Sequence, residues 1–241
     1  MAVFIAMQYR HVPNANFEDF SCGRFIYQIA GFPNFPVRLA CEIFLRCYEL
    51  LNEPKVSVYD PCCGGAYMLT VLGFMYNEKI SALYGSDVSE EACSLAERNL
   101  GLLTHDGLSR RKKQLNAHYE AYGKASHLDA IKSADNLAGL IKNLPGSKVF
   151  LHDIVKEAPT FPVADIIIAD VPYGKLSGWS SPTAFALDKM LDNLKGSLRV
   201  NALAAICSDK GQKINNPGYK RVERFQVGRR KIEILRLLRS C

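Results

Sequence analysis

Short apolar runs that alternate with helix-length stretches constrain the fold of this chain more than any other feature. Five runs rich in Val, Ile or Leu predict buried strands, at 56–60, 80–87, 147–153, 164–170 and 202–207. Stretches of helix length lie between them, at 66–77, 89–103 and 182–195. Strands that alternate with helices indicate parallel βαβ units with right-handed crossovers, so we expect an α/β fold built on a mostly parallel sheet.

Residues near the C-terminus predict a different connection. Segments 219–227 and 232–238 are joined by the sequence GRRK, which is typical of a hairpin. We therefore expect an antiparallel strand that closes the parallel sheet at its edge. The helix at 182–195 is also well marked, with Ser181 as its N-cap, Pro182 in its first turn and Gly196 just past its end.

Two stretches stand outside this alternation. Residues 1–50 precede the first strand and are interpreted as an N-terminal lobe, and residues 51–241 as the main domain. Residues 104–146 are far longer than a typical helix-to-strand loop, so they are interpreted as an insertion. The apolar spacing of Leu137, Leu140, Ile141 and Leu144 predicts a packed helix in its second half.

Composition narrows the class of protein. A chain of 241 residues with 48% hydrophobic and 22% charged residues suits one folded domain with a large core and excludes disorder as the main state. No secretory leader and no run of about 18 apolar residues is found, so we expect a cytoplasmic protein. Eight cysteines without a CxxC pair fit neither a disulfide framework nor a zinc site, which favours a reducing compartment.

Basic residues are clustered within a net charge of +6. One run lies in the insertion and another in the C-terminal turn, and the candidate RNA contacts are Arg110, Arg111, Lys112, Lys113, Arg229 and Arg230. Such clusters suit a polyanionic partner. A solvated helix face or hairpin turn without a partner explains them equally well.

The turn after the first strand predicts a nucleotide-type site. Its sequence, DPCCGGA at 60–66, consists of small residues that let a ligand approach the backbone at the start of a helix. The second strand ends at Asp87, where a carboxylate can accept hydrogen bonds from both hydroxyls of a ribose. Asp87 also fits a cap of the following helix. Residues 64–69 read GGAYML and lack the GxGxxG pattern, so NAD is disfavoured.

The fourth strand leads directly into the most specific motif, DVPYG at 170–174. The nitrogen of a nucleobase is a poor nucleophile because its lone pair is delocalised. The carboxylate of Asp170, beside the carbonyl of Val171, can accept N–H hydrogen bonds and direct that lone pair toward an electrophilic methyl group. Pro172 fixes the backbone, and Tyr173 offers a ring on which a flipped base can stack. An ordinary β-turn is the alternative.

Taken in order, the motifs DPCCGG at 60–65, SDVS at 86–89 and DVPYG at 170–174 resemble those of class I S-adenosylmethionine-dependent methyltransferases that act on nitrogen. With FPVRLACEIF at 35–44 and AERNLGLL at 96–103, the chain is more closely similar to the avilamycin-resistance type of 23S ribosomal RNA guanine methyltransferase. The resemblance covers most of the chain, including the insertion.

This resemblance implies a Rossmann-like fold with a seven-stranded sheet and helices on both faces. It implies S-adenosyl-L-methionine as methyl donor, a guanine nitrogen of 23S rRNA as acceptor, and resistance to orthosomycin antibiotics as one consequence. The donor loop would be formed by Asp60, Cys63, Gly64 and Gly65, with Asp87 at the ribose and Asp153 at the adenine. Asp170, Val171, Pro172 and Tyr173 would hold the target base. Ala66 and Lys175 depart from the family pattern, which usually has glycine and an acidic residue there.

Several alternatives stay open from the sequence. The acceptor could instead be tRNA, DNA or a protein, because related motifs serve all three. A binding protein that kept the fold but lost turnover is the rival from another class, with Ala66 in its favour. Ring nitrogen and exocyclic amine are not distinguished, since a carboxylate of ordinary pKa is a weak base for a ring N–H. No metal is required, no membrane partner is expected, and a monomer is the simplest assembly.

Overall fold

The computed structural model describes residues 9–21, 24–29, 34–172 and 185–238. Seven strands lie within these residues: β1 (Val56–Asp60), β2 (Ile80–Asp87), β3 (Gly146–Leu151), β4 (Ala164–Asp170), β5 (Leu198–Asp209), β6 (Tyr219–Val227) and β7 (Arg230–Leu237). Six α-helices accompany them: α1 (Val37–Leu51), α2 (Tyr67–Met75), α3 (Glu90–Gly101), α4 (His105–Tyr122), α5 (Ala125–Leu140) and α6 (Ala186–Leu194).

All seven strands form one sheet in the order β3-β2-β1-β4-β5-β7-β6. Strands β1 to β5 pair in parallel, while β7 is antiparallel to both of its neighbours. The chain order reverses between β1 and β4. In an open α/β sheet, ligands bind at the carboxyl ends of the strands beside such a reversal.

Burial on both faces of the sheet explains why the central strands read as apolar runs. Ile166 and Ile168 of β4 pack into a core shared with helices α1 to α5, whereas Ile167 and Ala169 pack into a second core on the other face, where α6 lies. Parallel strands covered on both sides show this continuous pattern. The predicted Rossmann-like α/β fold, with helices on both faces, is confirmed.

Helix α6 buries one apolar face against the second core. Leu187, Met190, Leu191 and Leu194 are all buried, in agreement with the sequence pattern. The predicted start of this helix, Ser181 and Pro182, lies outside the described residues. Among the helices that the structure describes, none is both long and apolar enough to cross a membrane.

The place of the C-terminal hairpin differs from the expectation. Strand β7 is antiparallel, as predicted, but it lies between β5 and β6, so the edge strand is β6. The burial of the two strands explains this order. Ile232 and Ile234 of β7 are fully buried, whereas β6 exposes charged residues along most of its length. A charged strand suits an edge, where it discourages pairing with other chains.

The insertion is a pair of helices, and both of its halves are helical. Only the second half was predicted as helix, and the predicted packing of Leu140 and Leu144 is wrong, because α5 ends at Leu140 and both leucines are exposed. The side chain of Thr104 accepts a hydrogen bond from Gly107 N–H at the start of α4, and Gly123, with a φ of 60°, ends this helix. Helix α4 was missed because Arg111 occupies a core-facing position, which weakens the apolar periodicity.

The N-terminal segment shares its core with the main domain. Phe25 packs edge-to-face on Phe74 of α2, and Phe44 of α1 stacks on Tyr76. Both phenylalanines belong to the same buried cluster as residues of β1 and β4. In the described residues this segment therefore covers one face of the sheet. Its treatment as a separate lobe stays a prediction.

A buried carboxylate fastens this segment to α1. Glu42 is fully buried and accepts hydrogen bonds from the backbone N–H groups of Arg10 (2.6 Å), His11 (2.9 Å) and Val12 (3.0 Å), and from Arg46 Nε (2.7 Å). Burial by itself raises the pKa of Glu42, but these four hydrogen bonds outweigh it and lower the pKa below its ordinary value.

We expect Glu42→Gln to lower the free energy of unfolding by about 3 kcal/mol at neutral pH, because an amide NH2 would face donors that now meet a carboxylate oxygen. A folded pKa below the unfolded value stabilises the protein above the unfolded pKa, and this contribution is lost as pH falls through the folded pKa. The difference between parent and variant should therefore shrink below about pH 4.3.

Urea unfolding at a series of pH values measures this difference. Glu49→Gln is the matched control, since Glu49 is 61% exposed and pairs with the same segment through Arg10 and His11. It should cost less than about 1 kcal/mol. An equal loss of unfolding free energy in both variants would mean that buried Glu42 stabilises the protein no more than an exposed ion pair does.

Candidate active site

Four carboxylates lie at the carboxyl ends of the parallel strands. Asp60, Asp87 and Asp170 end β1, β2 and β4, and Asp153 follows β3 by two residues. All four act on the same thiol: burial raises the pKa of Cys62 well above its usual range, and the charges of these carboxylates raise it further. The structure thus brings the four acidic residues predicted for the site to one edge of the sheet. It also keeps Cys62 protonated, which argues against thiol chemistry.

Hydrogen bonds from backbone N–H groups to aspartate side chains shape the loop from Asp60 to Ala66, which we call the donor loop. Cys62 N–H donates to Asp60 Oδ1 (3.0 Å), and Gly64 N–H donates to Asp87 Oδ2 (2.9 Å). Gly64 has a φ of 51°, which favours glycine. At Gly65 a Cβ would lie 2.4 Å from Leu95 Cδ2, so a larger residue would force the side chain of Leu95 on α3 to move.

Ala66 holds a conformation that alanine rarely adopts. Its φ is 53°, in the left-handed region, and its side chain is fully buried. This conformation costs about 1 to 2 kcal/mol for a residue with a Cβ, which burial of the methyl group offsets in part. Most members of the resembled family have glycine at this position, and glycine would adopt the same backbone conformation without strain.

Asp87 joins the end of β2 to the donor loop rather than capping α3 itself. The cap is Ser89, whose hydroxyl accepts from Ala92 N–H (3.2 Å). Asp87 accepts from Gly64 N–H through Oδ2 and from Ser89 N–H through Oδ1 (3.1 Å). The Asp87 carboxylate is thus held against the donor loop, and the N-cap of α3 is Ser89 rather than Asp87.

Asp153 is fixed by the turn that follows β3. Its Oδ1 accepts from Val155 N–H (3.1 Å), and its Oδ2 lies 3.3 Å from Lys156 Nζ. The preceding residue, His152, donates its backbone N–H to the carbonyl of Asp87 (2.9 Å). This bond ties the ends of β2 and β3 together. The contact of Asp153 with an adenine stays a prediction.

Asn99 is a positioning residue that the sequence did not reveal. Its Nδ2 donates to the carbonyl of Gly65 (2.8 Å) in the donor loop and to that of Tyr27 (3.1 Å), while its Oδ1 accepts from Tyr27 N–H (2.9 Å). The side chain is 1% exposed. It therefore fastens the donor loop to the N-terminal segment. The sequence offered one indication of this role, because Asn99 lies within the AERNLGLL segment that carries part of the family resemblance.

We expect Asn99→Leu to lower both stability, by about 3 kcal/mol, and donor affinity, because the buried polar groups of Gly65 and Tyr27 would lose their partners. Asn77→Leu is the matched control. Asn77 is equally buried, and it bonds the carbonyls of Phe74 and Leu140 away from the donor loop. Thermal unfolding should shift in both variants, and calorimetric donor binding should weaken in Asn99→Leu alone. Equal donor binding in the two would remove Asn99 from loop positioning.

The DVPYG motif begins at Asp170, the last residue of β4, beside the point between β1 and β4 where the strand order reverses. Val171 is buried and donates its N–H to the carbonyl of Cys207 (3.0 Å), and the carbonyl of Pro172 accepts from Gln212 Nε2 (3.2 Å). The backbone after β4 is thus fixed to β5 and to the segment that follows β5. Asp170 keeps 29% of its side chain exposed. Tyr173, predicted to stack on the target base, lies outside the described residues.

The basic runs divide into contrasting environments. Arg110, Lys113 and Arg229 are exposed, while Lys112 pairs with Asp135 across α4 and α5. Arg111 is buried and donates to the carbonyls of Phe25 (2.8 Å) and Arg24 (2.7 Å). The expectation that Arg111 contacts RNA is therefore wrong, because its guanidinium anchors the N-terminal segment. Arg230 lies near Asp170, with Nε 3.9 Å from Oδ1.

A cationic groove lies beside α3 and α4. The guanidinium groups of Arg98 and Arg111 both lie over the Tyr27 ring, each 4.2 Å from its centroid. The groove has a volume of about 320 Å³, and its walls include Arg98, Arg110 and Gln114, with Glu97 as its acidic group. We call it the Arg98–Arg110 groove. Tyr27 lines this groove and is hydrogen-bonded to Asn99, which is in turn hydrogen-bonded to Gly65 of the donor loop.

The strand order and the row of carboxylates at the strand ends define a class I methyltransferase. The family described as rRNA methyltransferase AviRa matches residues 7–230, and the chain belongs to this family. It is 32% identical over 242 residues to the 23S rRNA (guanine(2535)-N(1))-methyltransferase of Streptomyces viridochromogenes, with 95% of each chain covered.

Solved structures agree with this assignment. The rRNA methyltransferase aviRa from Streptomyces viridochromogenes superposes with a TM-score of 0.85 at 31% identity, covering 95% of this chain and 96% of that one. A ribosomal protein L11 methylase from Lactobacillus delbrueckii subsp. bulgaricus reaches a TM-score of 0.50 at 12% identity, covering 85% and 79%. The second likeness concerns the fold alone.

Proposed function

We propose that this protein transfers a methyl group from S-adenosylmethionine to N1 of a guanine in 23S rRNA. The observation that carries the proposal is the similarity to a 23S rRNA guanine-N1 methyltransferase over 95% of both chains. The carboxylates at the strand ends support it independently, because they meet where a class I methyltransferase binds its donor and acceptor. A ribosomal RNA substrate also supports a cytoplasmic place of action. Resistance to orthosomycins and a monomeric state stay predictions.

The charges of the site suit S-adenosylmethionine, which carries a sulfonium and an ammonium group. Burial raises the pKa of Asp60 well above its usual range, and the charges of Asp170 and Asp87 raise it further, against a hydrogen bond from Cys62 N–H. A cationic ligand would relieve this accumulation of negative charge. We assign the cofactor contacts to Asp60, Cys63, Gly64, Gly65, Asp87 and Asp153, with Asp87 at the ribose hydroxyls.

At the acceptor, Asp170 accepts the N1–H hydrogen bond of the base, and the backbone of Val171 and Pro172 sets the position of the carboxylate. The cofactor, when bound, supplies an electrophilic methyl group. The protein contributes orientation, by holding the base nitrogen in line with that methyl group, and a nearby acceptor for the proton. We keep Tyr173 as the proposed stacking residue because of its position in the DVPYG motif.

For the RNA we propose the Arg98–Arg110 groove and the neighbouring Lys113 as the main contact, with Arg229 as a second. Arg98 and Arg110 make no ion pair among the described residues, so their charges are available to phosphates. An arginine can bind a phosphate through two parallel hydrogen bonds. Asn99 is hydrogen-bonded both to Tyr27 of this groove and to Gly65 of the donor loop, which supports a groove close to the proposed cofactor site.

Incubation of unmodified 23S rRNA with isotopically labelled S-adenosylmethionine tests the proposal. Nucleoside digestion and mass spectrometry should show labelled 1-methylguanosine, while 16S rRNA, tRNA, DNA and protein extracts stay unlabelled. Label on the exocyclic amine would overturn the N1 assignment, and label in another polymer would overturn the substrate. Donor binding without any transfer would favour a binding protein.

A further inference from the structure

Arg230, the first residue of β7, lies beside the acceptor carboxylate without bonding to it. Its Nε is 3.9 Å from Asp170 Oδ1, which exceeds hydrogen-bond distance. The guanidinium lies over the ring of Phe35, 5.4 Å from its centroid. Within the described ranges Nε is buried without a hydrogen-bond partner, although the side chain as a whole keeps 30% exposure. Nε of Arg230 therefore has no acceptor beside the proposed acceptor carboxylate, while part of the same side chain stays exposed.

We infer that Arg230 recognises O6 of the target guanine. The Watson–Crick edge of guanine presents an N1–H donor beside the O6 acceptor. A carboxylate next to a guanidinium is complementary to this pair, with Asp170 accepting from N1–H and Arg230 donating to O6. Adenine reverses the order, with a lone pair at N1 and an amine at position 6. Both adenine groups would meet like partners, so the pair selects guanine. This inference rests on the proposed function.

The same contact answers the difficulty that a carboxylate is a weak base for a ring N–H. When the N1–H bond breaks, the negative charge left on the base is shared with O6. A guanidinium stays charged at any physiological pH, so Arg230 would stabilise that charge as it forms. The N1–methyl bond forms as the sulfur–methyl bond breaks and its electron pair stays on sulfur. The N1 proton passes to Asp170 and then to solvent, so atoms and charge balance.

Among the ion pairs between described residues, Asp170 is paired with Arg230. Groups that feel the charge of Asp170 or Arg230 include Asp60 from β1, Cys62 from the donor loop, Cys207 from β5 and Tyr9 from the N-terminal segment. The nearby Arg38 lies on the Tyr9 ring and donates to the carbonyl of Val12. Arg230 is thus the positive group paired by position with Asp170.

Methylation of a 23S rRNA fragment by Arg230→Gln tests the inference. We expect turnover on guanine to fall by about 10²-fold, as for loss of one donor at a developing oxyanion. The rise of the rate with pH should move to higher pH, because N1 would lose its proton less readily. With 6-thioguanine at the target, where O6 is replaced by a poor acceptor, parent and variant should differ much less. Arg230→Lys should recover part of the rate.

Arg224→Gln on strand β6 is the matched control, since Arg224 is exposed and lies outside the proposed contacts. Thermal unfolding and calorimetric donor binding should show that Arg230→Lys keeps the fold even if Arg230→Gln does not. The inference is overturned if both Arg230 variants match Arg224→Gln. It is also overturned if their losses are equal on guanine and 6-thioguanine with an unchanged pH profile, as a structural role requires. A parent that leaves guanine unmethylated overturns the proposed function, and this inference with it.

Discussion

Replacing Asp170 with alanine is expected to lower turnover by about 10²-fold or more while donor affinity and stability change little. The carboxylate is proposed to engage the acceptor base, and removal of a positioned polar group at a reacting centre has an effect of this size. Its environment permits the separation of rate from folding. Asp170 is partly exposed, and Val171 and Pro172 hold the strand end through Cys207 and Gln212.

Single-turnover methylation of an rRNA fragment, donor calorimetry and thermal unfolding measure the three quantities. Asp170→Asn is the informative companion, because its amide keeps the shape and one acceptor oxygen but loses the charge. We expect it to retain more activity than alanine and less than the parent. A fall in thermal stability that parallels the loss of rate would indicate that DVPYG is an ordinary turn.

The central strands of this protein could be predicted because burial on both faces of the sheet produces continuous apolar runs, whereas β3, predicted as a buried strand, is largely exposed. The run at 164–170 coincides with β4, and the carboxylates at the ends of β1, β2 and β4 follow from where apolar runs stop. The order of β6 and β7 could not be predicted, since a hairpin pattern does not specify which of its strands pairs with β5. That choice depends on comparing the burial of two whole strands.

The site residues that escaped prediction depend on contacts between distant segments. Arg111 looked like one member of a basic run, yet its guanidinium meets carbonyls 86 and 87 residues away in sequence. Asn99 looked like an ordinary helical residue, and its role needs Gly65 and Tyr27 beside it. No local pattern records such neighbours. The same limit applies to the left-handed backbone of Ala66, which is set by the loop as a whole.

The electrostatic contact with RNA should depend on the Arg98–Arg110 groove. We expect Arg98→Glu combined with Arg110→Glu to weaken binding of a 23S rRNA fragment by about 10²-fold or more, because two charge-assisted hydrogen-bonding groups become repulsive. The dependence of affinity on salt should also flatten, by about one counterion for each phosphate that the variant no longer neutralises. Arg111 and Lys112 are left unchanged, since the first anchors the N-terminal segment and the second pairs with Asp135.

The matched control introduces the same change of charge at the opposite ends of the strands, away from the proposed site. Lys55 and Lys79 directly precede β1 and β2, so they lie at the amino ends of strands whose carboxyl ends form the site. Lys55→Glu combined with Lys79→Glu lowers the net charge equally and should leave the salt slope close to that of the parent. Filter binding at several salt concentrations compares the three proteins, with donor calorimetry as a check on the fold. Equal slopes in both double variants would mean that net charge alone attracts the RNA, and the groove would then have no part in the interface.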